Sequence, residues 1–166
     1  MTKIETDITL IKNILGKIAD PELPILSIVD LGIVRDITVN NGIVEINITP
    51  TYSGCPAIDV IDLEIRATLE ANHIKNYRLI RSLSPAWTTE WMTESGKQLL
   101  KDHGIAPPLP LQAVCETEYF QRDEAIACPL CGSYNTRMIS RFGSTACKAQ
   151  YQCNECLEPF DYFKCH

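Results

Sequence analysis

The sequence lacks an apolar run of about 18 residues, the length from which a membrane-spanning helix is first considered. Its first ten residues also lack a basic segment followed by an apolar run and small residues, the pattern of a secretory signal peptide. Positive charge is in short supply, because 15 lysines and arginines are opposed by 21 aspartates and glutamates, a formal net charge of -6. Such a chain has no strong attraction for a phosphate backbone. These absences predict a cytoplasmic protein that does not bind membranes and is poorly suited to nucleic acids.

Histidine is scarce as well, and His73, His103 and His166 stand outside any catalytic motif. A Cys-His hydrolytic pair cannot be argued from this sequence. Cysteine, by contrast, is plentiful, with eight in the chain. Without a secretion signal these side chains are expected to be reduced, because the cytosol keeps thiols from pairing. They therefore indicate metal binding or thiol chemistry rather than disulfides.

The first hundred residues have the pattern of alternating helices and strands. Apolar residues at three- and four-residue spacing predict helices, the second of them with Ile58, Ile61, Ile65 and Leu69 on its buried face. An Asn-Gly pair between two β-rich runs predicts a hairpin, because it supports positive φ. The predicted elements are helices at residues 7–18, from residue 56 onward and at 89–103, and strands at 29–39, 43–49 and 77–83.

This order predicts an α+β fold in which helices cover one face of a small mixed sheet, since the third strand must return by way of a helix. Three prolines and no sustained apolar period at residues 106–125 are typical of a linker. We therefore predict a domain at residues 1–105, a linker at 106–125 and a second module at 126–166. Two prolines make residues 20–27 a loop, in which Asp20 and Glu22 are expected to be exposed.

The second module contains two Cys-x-x-Cys pairs, Cys128 with Cys131 and Cys153 with Cys156. Two tight turns of this kind can offer four thiolates to one tetrahedral metal at Zn-S distances of roughly 2.3 Å. Gly132 would supply the positive φ that such a turn needs. Strands predicted at residues 136–142, 148–151 and 158–163 complete a zinc ribbon that needs its metal to fold.

The ligand set leaves alternatives open at this point. Iron, or an iron-sulfur cluster, can also be held by four cysteines, so structural zinc is the first interpretation but not the only one. Cys147, Cys165 and His166 lie near the ribbon in sequence and are candidate additional ligands. Each of these three has an ordinary packed or exposed side chain as its competing interpretation.

Cys55 stands apart from the ribbon, in the segment Tyr52-Ser53-Gly54-Cys55-Pro56 before the second helix. Free backbone N-H groups and the helix dipole at such a position favour a thiolate, which predicts a lowered pKa. Cys55 is thus a candidate nucleophile or transient metal ligand. The alternative is a small apolar cap packed under the loop.

Seven segments of the chain are distinctive when taken together. They are DPELPILSIVDLGIVRDI, ITPTYSGCPAIDVI, LSPAWTTEWM, GIAPP, CPLCGS, SRFGSTACKAQYQC and EPFDYFKCH. In combination these segments resemble one known family, the PaaD family. Its members are accessory subunits encoded with the bacterial phenylacetyl-CoA 1,2-epoxidase, a diiron oxygenase served by a flavin and iron-sulfur reductase. The N-terminal half of the family is similar to the MIP18-like domain of iron-sulfur cluster assembly factors.

The resemblance implies a role for particular residues. Asp20, Pro21 and Glu22 match the DPE motif of the assembly domain, and Cys55 matches the cysteine that this domain family uses as its working thiol. It also implies a maturation factor that docks on the oxygenase and reductase subunits and assists the placement of iron or an iron-sulfur cluster. The sequence has no carboxylate and histidine set for a diiron centre and no glycine-rich nucleotide loop, so the oxygenation itself is not expected here.

Two other functions compete with maturation. The chain is also suited to be a stable structural subunit of the oxygenase with no catalytic role. A nucleic-acid-binding ribbon is the weaker alternative, because four basic residues oppose three acidic ones from residue 126 onward, a net charge of only +1. The residues that would carry it are Arg137, Arg141, Lys148 and Lys164, with the aromatic residues Tyr134, Phe142, Tyr151, Phe160, Tyr162 and Phe163.

Overall fold

The computed structural model of the chain describes residues 8–109 and 126–164. These residues divide into two units. The first ends at Trp87 and also takes in residues 91–93, whereas the second takes in residues 88–90 and everything described from Glu94 onward. Within the described ranges, no helix combines the length and apolar character needed to cross a membrane.

Two helices of the first unit bury one face each. Helix α1, Ile8–Leu15, buries Ile11, Ile14 and Leu15, and helix α2, Ala57–Ala71, packs against it. Helix α1 ends three residues before the predicted end at residue 18, because Lys17 and Ile18 bond to carbonyls three residues back in a tighter turn. In α2 the buried face begins with Ala57, and Ile58 is only half-buried; the other members are Ile61, Ile65 and Leu69.

The sheet of the first unit is small and mixed, as the sequence predicted. Strand β1, Val34–Asn40, pairs antiparallel with β2, Ile43–Ile48, through a turn in which Asn41 and Gly42 have φ values of 52° and 77°. Strand β3, Tyr77–Arg81, lies parallel to β2 after the crossover through α2. Alternate residues of β2 are buried, which places one face of the sheet in the core. The α+β fold class is therefore confirmed.

Strand β1 begins five residues later than predicted, because residues 27–33 form a turn. The Asp30 carboxylate accepts a hydrogen bond from the Ser27 hydroxyl at 2.6 Å, and the Gly32 N-H donates to the Val29 carbonyl at 3.0 Å. Gly32 has a φ of 71°, and a Cβ there would lie 2.3 Å from the Trp91 carbonyl oxygen. Only glycine fits this close approach of two backbones.

In the part of the second unit that the structure describes there are one α-helix and a four-stranded sheet. Its elements are α3 Glu94–Asp102, β4 Ile105–Ala106, β5 Thr136–Ser140, β6 Lys148–Cys153 and β7 Pro159–Phe163. The strand order is β4-β7-β6-β5, with β4 parallel to β7 and the other pairs antiparallel. We call β5, β6 and β7 with their cysteine turns the ribbon.

Two sequence expectations for this region differ from the structure. The third helix was predicted at residues 89–103, but Thr89–Trp91 forms a short 3-10 turn and α3 starts only at Glu94, after Thr93 bonds to Asp30. The units also divide earlier than the predicted boundary at residue 105, because β4 belongs to the sheet of the ribbon. Of the predicted linker at 106–125, residues 110–125 lie outside the described residues.

Aromatic side chains form the core of the ribbon. The Tyr151 ring stacks on Phe160 with centroids 5.8 Å apart and meets the edge of Tyr162 at 5.7 Å. Phe163 is fully buried as well, so four of the six aromatic residues considered for nucleic-acid stacking lie in the core. Lys148 and Lys164 are also buried. Of the ten residues considered for nucleic-acid binding, four remain exposed, namely Tyr134, Arg137, Arg141 and Phe142.

Candidate metal centre and thiol site

The four predicted metal ligands lie together at one end of the ribbon. The sulfurs of Cys128, Cys131, Cys153 and Cys156 all lie within 4.8 Å of one another. The Cys128 and Cys156 sulfurs are 3.8 Å apart, and those of Cys131 and Cys153 are 3.6 Å apart. A tetrahedron with metal-sulfur distances of about 2.3 Å has edges of about 3.8 Å, so the spacing fits a single tetrahedral ion.

Two similar backbone turns hold these sulfurs. In the first, the Gly132 N-H donates to the Cys128 carbonyl at 2.9 Å, and Gly132 has a φ of 78°, as predicted. In the second, the Cys153 N-H donates to the Glu158 carbonyl at 3.0 Å, and Leu157 has a φ of 64°. Leu157 was not predicted from the sequence, because leucine is not a residue that indicates positive φ, although its place after the second Cys-x-x-Cys pair matches that of Gly132.

The cysteine sulfurs sit among backbone donors that favour thiolates. Hydrogen bonds from the N-H groups of Cys156 and Glu155 lower the pKa of Cys153 to about 7, whereas burial and the neighbouring sulfurs raise the pKa of Cys131 and of Cys156 against their own backbone donors. Thiolates are the form in which cysteine binds metals. The donor set and its geometry therefore suit zinc, and also iron, as expected for four thiolates.

Of the three additional ligands considered from the sequence, Cys147 is the one that the structure describes, and it does not join this group. Cys147 is buried, and its sulfur lies 3.0 Å from the Thr145 hydroxyl oxygen, outside the four-cysteine cluster. This position fits the alternative interpretation of Cys147 as an ordinary packed side chain. Cys165 and His166 lie outside the described residues.

Cys55 lies in the first unit, in the turn between β2 and α2. Its N-H donates to the Tyr52 carbonyl at 3.1 Å, and the thiol is half-buried. The Ala57 N-H and the Thr51 hydroxyl hydrogen-bond to its sulfur. A half-buried sulfur at the start of a helix is neither sealed in the core nor freely exposed.

The carboxylates of Asp20 and Glu22 act on this thiol through their charge. Asp20, expected to be exposed, is 5% exposed, and its carboxylate accepts hydrogen bonds from the N-H groups of Glu22 and Leu23, each at 2.8 Å. This turn folds the aspartate inward, which is why the expectation was wrong. Burial raises the pKa of Asp20.

The electrostatics of Cys55 are opposite to the sequence expectation. Burial raises the pKa of the thiol, and the negative charges of Glu22 and Asp20 raise it further, against the hydrogen bonds from Ala57 and Thr51. The prediction of a lowered pKa was therefore wrong for the protein without a metal. Without a metal, both carboxylates disfavour the thiolate. With a cation bound to the sulfur they would instead favour it, because their negative charges attract the cation.

Comparisons with known proteins match both units to described families. A family model described as "PaaD zinc beta ribbon domain" matches residues 113–164, and one described as "Iron-sulfur cluster assembly protein" matches residues 9–73. A protein of Escherichia coli, provisionally named as a subunit of 1,2-phenylacetyl-CoA epoxidase, is 44% identical over 152 residues. That match covers 92% of this chain and 89% of the relative.

Other relatives match the first half of the chain. An Fe-S protein maturation auxiliary factor of Porphyromonas gingivalis is 30% identical over 51% of this chain and 81% of its own length. A crystal structure of a DUF59 domain from Bacillus anthracis is similar with a TM-score of 0.52 and 29% identity, over 55% of this chain and 89% of that one. A conserved hypothetical protein of Thermotoga maritima has a TM-score of 0.50 and 26% identity, over 59% and 96%.

Proposed function

The chain belongs to the PaaD family of phenylacetyl-CoA epoxidase subunits, and on that basis we propose that it is an accessory maturation factor of this enzyme system. Its task is to assist the placement of iron or an iron-sulfur cluster in the oxygenase or its reductase. The relationship to an Fe-S protein maturation factor over the first half of the chain supports this proposal. Iron, alone or in a cluster, is cargo in this account.

The observation that carries the proposal is the pairing of a half-buried thiol with two carboxylates. Cys55 is the transient ligand, and Glu22 and Asp20 supply the negative charge around it. A raised pKa keeps the empty thiol protonated, so the metal-sulfur bond forms as the thiol proton leaves to solvent and breaks as the proton returns. Competition by the proton keeps the affinity of Cys55 for the metal low, which suits a ligand that must release its metal.

The ribbon has a different role in this proposal. Its four cysteines hold one zinc ion, which fixes the two turns and supplies much of the folding free energy of a unit with a small core. A tetrahedral site with four protein ligands has no open position for exchange. The ribbon is therefore the structural part of the molecule, and Cys55 the working part.

A stable, non-catalytic subunit of the oxygenase is the second candidate function, favoured by the name of the Escherichia coli relative. The two candidates make different predictions for purification. A structural subunit remains in the oxygenase complex at fixed stoichiometry, whereas a maturation factor leaves once the cargo is delivered.

The test replaces Cys55 with serine in cells that make the epoxidase system. Iron and acid-labile sulfide are then measured in the purified oxygenase and reductase, together with epoxidase activity. We expect both cargo content and activity to fall in Cys55→Ser, and to stay normal in the matched variant Cys147→Ser, which alters a thiol outside both sites. Unchanged iron and sulfide with full activity in Cys55→Ser would remove the proposal.

A further inference from the structure

The metal end of the ribbon carries large apolar side chains on its outside. Leu130, Tyr134 and Leu157 are 59%, 67% and 68% exposed, although the ribbon core is built from other residues. They belong to the two cysteine turns, which we take as residues 129–135 and 154–159 and call the tip. Clustered exposed apolar residues of this size are typical of interaction sites.

Hydrogen bonds join the two halves of the tip. The Asn154 N-H donates to the Asn135 carbonyl at 2.8 Å, and the Asn154 side-chain amide donates to the Asn135 side-chain oxygen at 2.9 Å. The Asn135 amide also donates to the Glu155 carboxylate at 2.8 Å. These hydrogen bonds, together with the four clustered sulfurs, place both turns and their exposed apolar side chains at the same end of the ribbon.

Leu157 is energetically unfavourable at its position in the second turn. A non-glycine side chain at positive φ is strained, and most of this one is in water as well. The equivalent position of the other turn is Gly132, which has neither cost. An exposed leucine in a conformation that glycine adopts freely points to a role in contact with something else.

The charge of the tip is negative. Glu155 and Glu158 are exposed, and residues 127–135 and 153–159 contain no lysine or arginine. Four thiolates around one divalent cation add two further negative charges. Arg137, on the neighbouring strand, donates to the Gln152 side chain at 2.6 Å. An acidic surface of this kind repels a nucleic acid and attracts a basic protein surface.

We propose that the tip docks on an apolar hollow flanked by lysine and arginine side chains on another subunit of the epoxidase system. Leu130, Tyr134 and Leu157 fill the hollow, and Glu155 and Glu158 face the basic flank. The identity of the partner rests on the function proposed above, whereas the surface and its chemistry rest on the ribbon.

The test measures binding of the full chain to each purified oxygenase and reductase subunit. The double variant Leu130→Asn/Leu157→Asn removes both leucines, and asparagine tolerates positive φ. We expect it to raise the Kd by at least about tenfold, the loss of a single good anchor. The matched control Ile139→Thr alters an exposed apolar side chain of β5 outside the tip and should leave the Kd unchanged. Zinc content verifies that each variant is folded.

A charge variant tests the role of the acidic side chains independently of the leucines. Binding of the natural chain should weaken with rising salt, and Glu158→Lys should weaken binding at low salt more than at high salt. The proposal is overturned if no subunit binds, if the double variant binds as well as the natural chain, or if the tip instead mediates self-association in sedimentation experiments. In any of these cases the maturation role still stands if Cys55→Ser lowers the cargo content of the client, so the two failures are distinguishable.

Discussion

At the scale of single residues, Glu22 acts on Cys55 through its charge. It raises the pKa of the thiol, after the larger effect of burial. Alkylation by iodoacetamide requires the thiolate. The alkylation rate of Cys55 should therefore begin to rise at a higher pH than the alkylation rate of an ordinary thiol. Replacing Glu22 with glutamine removes one of the charges that oppose ionisation. We expect the pH profile of Cys55 alkylation in Glu22→Gln to shift to lower pH, giving a severalfold faster reaction at neutral pH.

This reaction is followed by mass spectrometry of the peptide that contains Cys55, with the ribbon loaded with zinc. Glu64→Gln, an exposed carboxylate on α2, is the control and should leave the profile unchanged. A profile in Glu22→Gln that coincides with that of the natural chain would show that Glu22 does not act on the thiol.

Asp20 and Cys55 show what a sequence conveys about a site and what it does not. The DPE motif and the cysteine after the second strand were identified together through a family resemblance. Their electrostatics were not, because a lowered pKa was inferred from the helix start while burial and two carboxylates act in the opposite direction. The inward position of Asp20 depends on hydrogen bonds from the N-H groups of Glu22 and Leu23, and these were not predicted from the sequence.

At the scale of elements, the two cysteine turns offer a matched comparison of residues at positive φ. A Cβ at Gly132 would meet no atom within 4 Å, so Gly132→Ala changes only backbone strain. We expect it to destabilise the ribbon by about 1 kcal/mol, and Leu157→Gly to stabilise it by a similar amount. Thermal unfolding of the zinc-loaded chain measures both.

Gly54→Ala is the control for the first substitution, because Gly54 also has open space around it but does not have a positive φ. It should have little effect on the ribbon. Equal destabilisation by Gly54→Ala and Gly132→Ala would contradict the explanation by positive φ.

Elements with strong local signals were predicted well, and short ones were not. The Asn-Gly hairpin, the crossover helix and the three ribbon strands follow from turn chemistry, periodicity and cysteine spacing. Strand β4 has only two residues, too few for any periodicity, and it is defined by pairing with β7 far along the chain. Pro107 and Pro108, which directly follow β4, instead favoured a linker, and this placed the predicted boundary after α3.

At the scale of the whole molecule, the two units should respond differently to metal removal. The first unit has its own core, centred on Ile46, Ile61 and Ile65, and the ribbon depends on the four cysteines. A strong chelator should therefore abolish hydrogen-exchange protection in β5, β6 and β7 and leave that of α2 and β2 largely intact.

Both tryptophans belong to the first unit, and Trp87 donates its indole N-H to the Leu31 carbonyl at 2.9 Å. Their fluorescence should accordingly change little on chelation. Retained protection of the ribbon strands without metal would contradict a structural role for the four-cysteine site.

In the proposed function the molecule has two separate sulfur environments, one that keeps its metal and one that exchanges it. Elemental analysis of the chain purified without oxygen distinguishes the two. We expect one zinc per chain in both the natural protein and Cys55→Ser, with substoichiometric iron that is present in the natural protein and lost in the variant. Equal iron in both proteins, or iron in place of zinc in the ribbon, would contradict this expectation.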